Sequence, residues 1–232
     1  LTLQQMKELG IDLKEDRIEF TFYEPRTVGG LAIGAKGETN VSGLFAAGDV
    51  VGNIRRGVSP AAYAIGWLAG ESAAKYATTQ KPSSTIKATA FIEAQNDFYH
   101  SIIERKSGAT WQEAVLALQN LMSYYSGDFR YETLLKAGLA HLRKIRQRAQ
   151  NTLTAKNPHE LMRCLEALNL MDIGEAVMQC VLERKESRSS RYGTIARVDY
   201  PKIDEKMNKL LMMKLENGNP EFRWREPRAT IK

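Results

Sequence analysis

The sequence predicts an α+β chain in two unequal parts: a partial α/β portion of short strands plus a small-residue helix, then a mainly α-helical bundle. Three observations predict it. Most of the 17 glycines lie before residue 82, among alternating or β-branched runs. Beyond that point apolar residues recur at helical spacing. Between the two lies a polar joint, Lys81-Pro82-Ser83-Ser84, with the look of a linker. The expected boundaries are 1–82, 83–205 and an irregular tail over 206–232.

The chain opens in a helix-like run, Leu3 to Leu9. Ile18 to Phe22, Val28 to Ile33 and Gly43 to Ala47 read as short strands. Gly48 turns the chain after the last of these, and the carboxylate of Asp49 projects from the strand's end. About ten residues later a helix begins, with Ser59 as its N-cap and Pro60 at the first position, where a missing donor costs nothing. Ala61, Ala62, Ala64, Gly66, Ala69, Gly70, Ala73 and Ala74 leave little side chain on this helix. Either a sheet or a flat ring system can approach such a surface closely. Strand ends facing a helix N-terminus are where open α/β sheets hold ligands, with free amides aimed at anionic groups.

In the second part, Thr110 and Glu113 have capping-box spacing ahead of a helix from Trp111 to about Tyr125, with Val115, Leu118, Leu121 and Met122 on one stripe. The next helix spans about Tyr131 to Gln150, with Leu134, Leu135, Leu139, Leu142 and Ile145 inward. Asn157-Pro158 opens a third, and Asp172 with Glu175 repeats the capping-box spacing for a fourth. Four helices with short joints predict an antiparallel bundle. From Glu186 to Pro201 the pattern gives way to an Arg- and Ser-rich stretch.

Composition excludes several function classes. At 43% hydrophobic and 26% charged the chain matches ordinary globular proteins, so fibrous and disordered classes drop out. No run reaches the roughly 18 to 20 apolar residues of a membrane span. The +6 net charge invites anionic partners, but Arg143, Lys144, Arg146 and Arg148 fall at helical spacing where neighbouring acids can neutralise them, and nucleic acid is not expected. Cys164 and Cys180 stand sixteen positions apart with no metal-ligand spacing, so they read as small buried hydrophobes in a reducing compartment, and no metal site is expected. His100, His141 and His159 lie on separate helices and read as surface or capping residues.

The Ala47-Gly48-Asp49 turn with its small-residue helix, and Thr27-Val28-Gly29-Gly30-Leu31 before it, resemble the second half of the FAD-binding domain in the fumarate reductase/succinate dehydrogenase flavoprotein family. Leu118-Gln119-Asn120-Leu121-Met122 resembles a helix motif of that family. Arg184-Lys185-Glu186-Ser187-Arg188, then Arg197-Val198-Asp199-Tyr200-Pro201 and Asp204, resemble its C-terminal signature. Glu24-Pro25 and the short loop after Asp49 are also similar to the flavoprotein subunit of adenylylsulfate reductase.

The resemblance implies that residues 1–82 are the C-terminal portion of an FAD-binding domain. FAD would be the cofactor, held by Gly48, Asp49, Ser59, Ala61 and Ala62, the carboxylate accepting from ribityl hydroxyls and the helix-start amides facing the pyrimidine edge. It further implies hydride transfer between FAD and a small anionic substrate, electron transfer to an iron-sulfur partner, and a cytoplasmic enzyme. Two departures bear on the substrate. Pro25 stands where dicarboxylate-reducing members carry a His, and the loop reads Gly52-Asn53-Ile54-Arg55-Arg56-Gly57 in place of a longer His-Gly-Ala-Asn-Arg segment. Arg55 and Arg56 remain candidates for an anion clamp, because guanidinium donors match carboxylate, sulfate and phosphate geometry. No G-x-G-x-x-G occurs, so the turn that anchors the ADP half is expected upstream in a longer protein, and the isolated piece is expected to be inactive. From another class, a non-catalytic helical interaction domain on a vestigial flavin scaffold is the alternative.

Overall fold

Glycine punctuation decides the first eighty residues. Gly37, Gly43 and Gly48 adopt φ of 78°, 81° and 76°, a region closed to most side chains, so no ladder extends more than a step or two. The computed structural model describes residues 3–12, 15–16, 29–52, 58–81, 88–190, 193–202 and 209–226. The chain divides into two units, Leu1–Ser83 and Ser84–Lys232. The expected strand over Ile18 to Phe22, the motif residues Pro25 to Val28, the loop arginines Arg55 and Arg56, and Pro82, Ser83, Ser84 and Asp204 lie outside the described residues.

In the first unit α1 spans Leu3–Glu8 and α2 spans Val58–Thr79. The expected strands shrink to isolated bridges: Leu31 pairs parallel with Val51, and Glu38 antiparallel with Phe45. Closely spaced glycine turns are the reason. Helix α2 starts at Val58, so Ser59 falls inside the first turn instead of capping it. One face of α2 packs on the loop residues through small atoms, since a Cβ on Gly37 would lie 2.6 Å from that of Ala69. About two turns further on, Tyr76 covers Gly43, meets Phe45 edge-on at 6.1 Å and shares a 2.9 Å hydrogen bond with Ser42.

The second unit is built on α3 (Thr89–Glu104), α4 (Trp111–Tyr125), α5 (Glu132–Thr152) and α6 (Pro158–Glu183). The Thr110–Glu113 capping box forms, and the Asn157 side chain accepts from the Glu160 amide to start α6. Ile102, Leu118, Leu121, Leu135, Leu142, Met171 and Met178 meet in one core. The bundle contains four helices, but not the four that the spacing predicts. Helix α6 runs unbroken through Asp172 and Glu175, whose carboxylates pair with Arg146 and Arg143 of α5 at 2.7 and 2.8 Å. The spacing that mimics a cap instead places two acids on the face toward α5. The fourth member is α3.

Two small sheets complete this unit. β1 (Phe129–Arg130), β3 (Gly193–Arg197) and β2 (Arg188–Ser190) lie in the order β1-β3-β2. β4 (Leu210–Glu216) and β5 (Asn219–Arg225) pair antiparallel in full register. This corrects the expectation of an irregular tail. Asn217 and Gly218 take φ of 51° and 79°, the two-residue turn whose twist suits a hairpin.

Gly138 of α5 faces Tyr125 so closely that a Cβ would lie 2.4 Å from that of the tyrosine. A Cβ on Gly174 would instead meet the Met122 sulfur at 3.2 Å, at the end of a flexible side chain. Gly138→Ala should therefore destabilise the chain by about 1 to 3 kcal/mol through overpacking. Gly174→Ala should be neutral or stabilising, since Ala exceeds Gly in helix propensity by about 1 kcal/mol. Thermal melts that rank the two variants the other way would contradict this packing.

Candidate functional site

In the first unit the structure brings the double-glycine segment against the Asp49 turn. Ala47 is extended, Gly48 turns the chain, and Gly48–Val50 form a single 3-10 turn closed by the Val51 amide on the Gly48 carbonyl at 3.0 Å. Leu31 holds this turn from the side, donating to Val50 O at 2.7 Å and accepting from the Gly52 amide at 3.0 Å. A Cβ placed on Gly48 would stand 3.9 Å from that of Ala62, so the turn lies over the start of α2. Asp49 is exposed, and its carboxylate has no hydrogen bond or ion pair among the described residues. Ser59, also exposed, sits in the first helical turn, where amides lack a preceding helical carbonyl. Ala61 and Ala62 follow, half-buried. Of the residues expected to form the site, Gly48 and Ala62 are thus adjacent and Asp49 and Ser59 are open, while Arg55 and Arg56 lie outside the description.

Among the described residues nothing lies within 4 Å of a would-be Cβ on Gly66 or Gly70, and Tyr63 and Trp67 of the same helix are 81% and 78% exposed.

The second unit holds a buried charge network that spacing arguments miss. Arg197 is fully buried and grips Asp199 through two hydrogen bonds of 2.9 Å. It also donates to the Val181 carbonyl at 2.6 Å and lies 4.7 Å over the Tyr200 ring. Asp199 in turn accepts from the amide of Glu132, the first residue of α5, at 2.8 Å. Tyr200 donates to Glu132, whose other oxygen accepts from Lys136. Arg184 pairs with buried Glu186, donates to the Lys209 carbonyl and covers Trp224. The ties from Arg197 to Val181, from Glu132 to Asp199 and Tyr200, and from Arg184 to Lys209 connect residues far apart in sequence, so only the resemblance of these runs pointed to them. Between α5, α6 and the β4–β5 hairpin lies a cleft of about 330 Å³, with Leu139, Leu182 and Phe222 on its apolar side and Lys136, Arg143 and Glu183 on its polar side. Cys164 is buried, as expected, and burial pushes its thiol up. Cys180 is half-buried against Met213. His141 lies edge-on to Tyr125.

Arg184, Glu186, Ser187, Arg197, Asp199 and Tyr200 of the C-terminal signature are thus tied together on a helical bundle, and a sequence model described as fumarate reductase flavoprotein C-term matches residues 115–231. The chain belongs to this family. It is similar to an uncharacterized FAD-dependent oxidoreductase of Methanocaldococcus jannaschii, 26% identical over 91% of this chain and 39% of the relative. It is also similar to the fumarate reductase flavoprotein subunit of Helicobacter pylori, 28% identical over 77% of this chain and 26% of that subunit. The fold is shared with adenylylsulfate reductase from Archaeoglobus fulgidus, with a TM-score of 0.74 over 84% of this chain and 33% of that one, at 24% identity. The chain therefore spans between a quarter and two fifths of these relatives. No helix among the described residues is long and apolar enough to cross a membrane.

The Arg197 fork holds the Asp199 carboxyl down from 3.8 to about 2, helped by the Glu132 amide. A depressed carboxyl stabilises the fold fully above its ordinary value and loses that contribution as pH falls through the depressed one. Asp199→Asn should lower the melting temperature at neutral pH, and its gap to wild type should narrow as pH drops from about 5 toward about 2. A gap that stays constant with pH would mean that the carboxylate charge plays no part.

Proposed function

We propose that this chain supplies one wall of the flavin site of an FAD-dependent oxidoreductase flavoprotein subunit. The observation that carries the reading is the convergence of three segments, Gly30–Leu31, Gly48–Gly52 and the first turn of α2, in a member of this flavoprotein family. The residues fit one side of such a cofactor. Gly48 presents bare backbone above Ala62, Asp49 offers an unengaged carboxylate, and Ser59 offers a first-turn amide. When bound, FAD accepts or gives up a hydride.

In this reading residues 1–82 form the C-terminal portion of the FAD-binding domain, and 83–205 a helical domain followed by the hairpin. Asp49 accepts hydrogen bonds from sugar-chain hydroxyls. Ser59, Ala61 and Ala62 bring the positive end of α2 to the ring edge, where it favours added negative charge on reduction. Arg55 and Arg56 hold a small anionic substrate, their planar donors orienting two oxygens at once. Electrons pass to an iron-sulfur partner in a cytoplasmic assembly. The names of the relatives, all flavoproteins or FAD-dependent enzymes in the sequence matches quoted, support the cofactor.

Two sets of variants in the full-length protein test the reading. Asp49→Ala should weaken flavin binding roughly tenfold to a hundredfold, as expected for loss of a hydrogen bond to a charged group, and leave helical content unchanged. Normal flavin content in a folded Asp49→Ala protein would reduce the carboxylate to a turn-former.

For the loop, Ala at the clamping arginine should cost turnover about a hundredfold or more and spare flavin binding, with Lys rescuing poorly. The other arginine should behave as surface. Assays of both Ala variants against fumarate, succinate and adenylylsulfate that show no change in any flavin-dependent activity would remove the loop from the substrate site.

A further inference from the structure

The backbone crossing at Leu31 carries a consequence for how the site is held. Leu31 is pinned on both sides by the Val50 carbonyl and the Gly52 amide. Gly30 lies so close beneath that a Cβ there would stand 2.6 Å from Val50 O and 2.6 Å from Gly52 N, the same two groups that Leu31 binds. Real Cβ atoms do not approach backbone atoms so closely, so an Ala at this position and the clamp on Val50–Gly52 exclude one another. From the other side, a Cβ on Gly52 would stand 3.0, 3.1 and 3.2 Å from the O, N and C of Gly30. That approach is tight, but a shift of a few tenths of an ångström would relieve it. The two glycines thus form a seam along which backbones touch with nothing between them.

What the seam holds is set by its neighbours in sequence. Asp49 immediately precedes the clamped Val50–Gly52 segment, and Arg55 follows it by three residues. We infer that Gly30 and Gly52 are positioning residues, fixing through backbone contact alone the turn that carries the Asp49 carboxylate. This rests on the flavin reading of Asp49. A displacement of about 1 Å at such a site can cost turnover about a hundredfold, so the seam controls more than stability.

The test uses full-length, flavin-loaded protein with Gly30→Ala, Gly52→Ala and Gly174→Ala, the last as a control in the helical bundle whose Cβ would meet only side-chain atoms, at 3.2 Å or more. Folding is followed by circular dichroism, flavin affinity by fluorescence titration, and the retained flavin by its visible spectrum and midpoint potential. Gly30→Ala should weaken flavin binding about tenfold or more and shift the spectrum or potential of the flavin it keeps. Gly52→Ala should move both in the same direction by less, and Gly174→Ala should match wild type in flavin affinity, spectrum and potential. A seam that is merely structural would lower the melting temperature while the folded protein kept wild-type affinity, spectrum and potential, and that result would overturn the inference. Should Gly30→Ala fail to fold, Gly52→Ala decides alone by the same criteria. Wild-type protein that takes up no flavin overturns the cofactor reading and this inference with it. Loaded wild type beside unaltered glycine variants overturns the seam only.

Discussion

The second unit depends on one buried guanidinium. Arg197 donates to the Val181 carbonyl in the last turn of α6, where unpaired carbonyls gather, and through Asp199 it satisfies the first amide of α5. One side chain therefore addresses the negative end of one helix and, through its carboxylate, the positive end of another. Burying a charge is costly unless every donor finds a partner. Here the fork on Asp199 and the helix carbonyl provide partners, and the Tyr200 ring covers the face. Ser187 reinforces the arrangement by donating to the carbonyls of Arg197 and Tyr200. The short β1–β3 pairing runs into the same corner, where the Val198 amide donates to the Arg130 carbonyl at 3.0 Å.

The first unit solves a different problem, close approach without bulk. Tyr76 anchors one end of α2 on the 42–45 turn, and Ala69 meets Gly37 along its middle. Small residues are thus partly explained by packing on the helix's inner face, which is the plainer of the two expectations for them. Gly66 and Gly70 meet nothing within 4 Å of a would-be Cβ among the described residues, so packing among those residues does not account for them. The start of the helix, beside Gly48, is the part that a ligand reading uses.

Legibility in the sequence tracks how local each determinant is. The Thr110–Glu113 box and the Asn157 cap are complete within four residues, and both form as read. Asp172 and Glu175 show the limit of the method, because three-residue spacing also places two acids on one helical face, and only the presence of α5 distinguishes the cases. The hairpin carried a legible signal in Asn217-Gly218, but the run Leu210 to Met213 is continuously apolar and hides the two-residue alternation. Among the site residues, the Gly48 turn was readable from turn chemistry, whereas its closeness to Ala62 was not, since the two were grouped only by the resemblance. The clamp by Leu31 was not, because it is made of backbone atoms and leaves no trace except two glycines twenty-two positions apart. Arg197 was visible only by resemblance, since a charged residue in an irregular stretch ordinarily reads as solvated.

Gly138 and Gly30, one in each unit, differ in what they admit. Gly138 makes room for the side chain of Tyr125, within a core where the surrounding atoms are apolar and the consequence of filling the space is strain. Gly30 makes room for backbone amide and carbonyl groups that are already committed to a neighbouring segment. Strain in the first case spreads into packing and appears as lost stability. In the second it has only a short, glycine-flanked turn to move, and that turn carries the exposed carboxylate of Asp49. A short turn yields more readily than a helical core does, and this turn is the part whose geometry the proposed chemistry uses. Direct backbone clamping at Leu31 offsets that weakness without adding any side chain to the face where a ligand would lie.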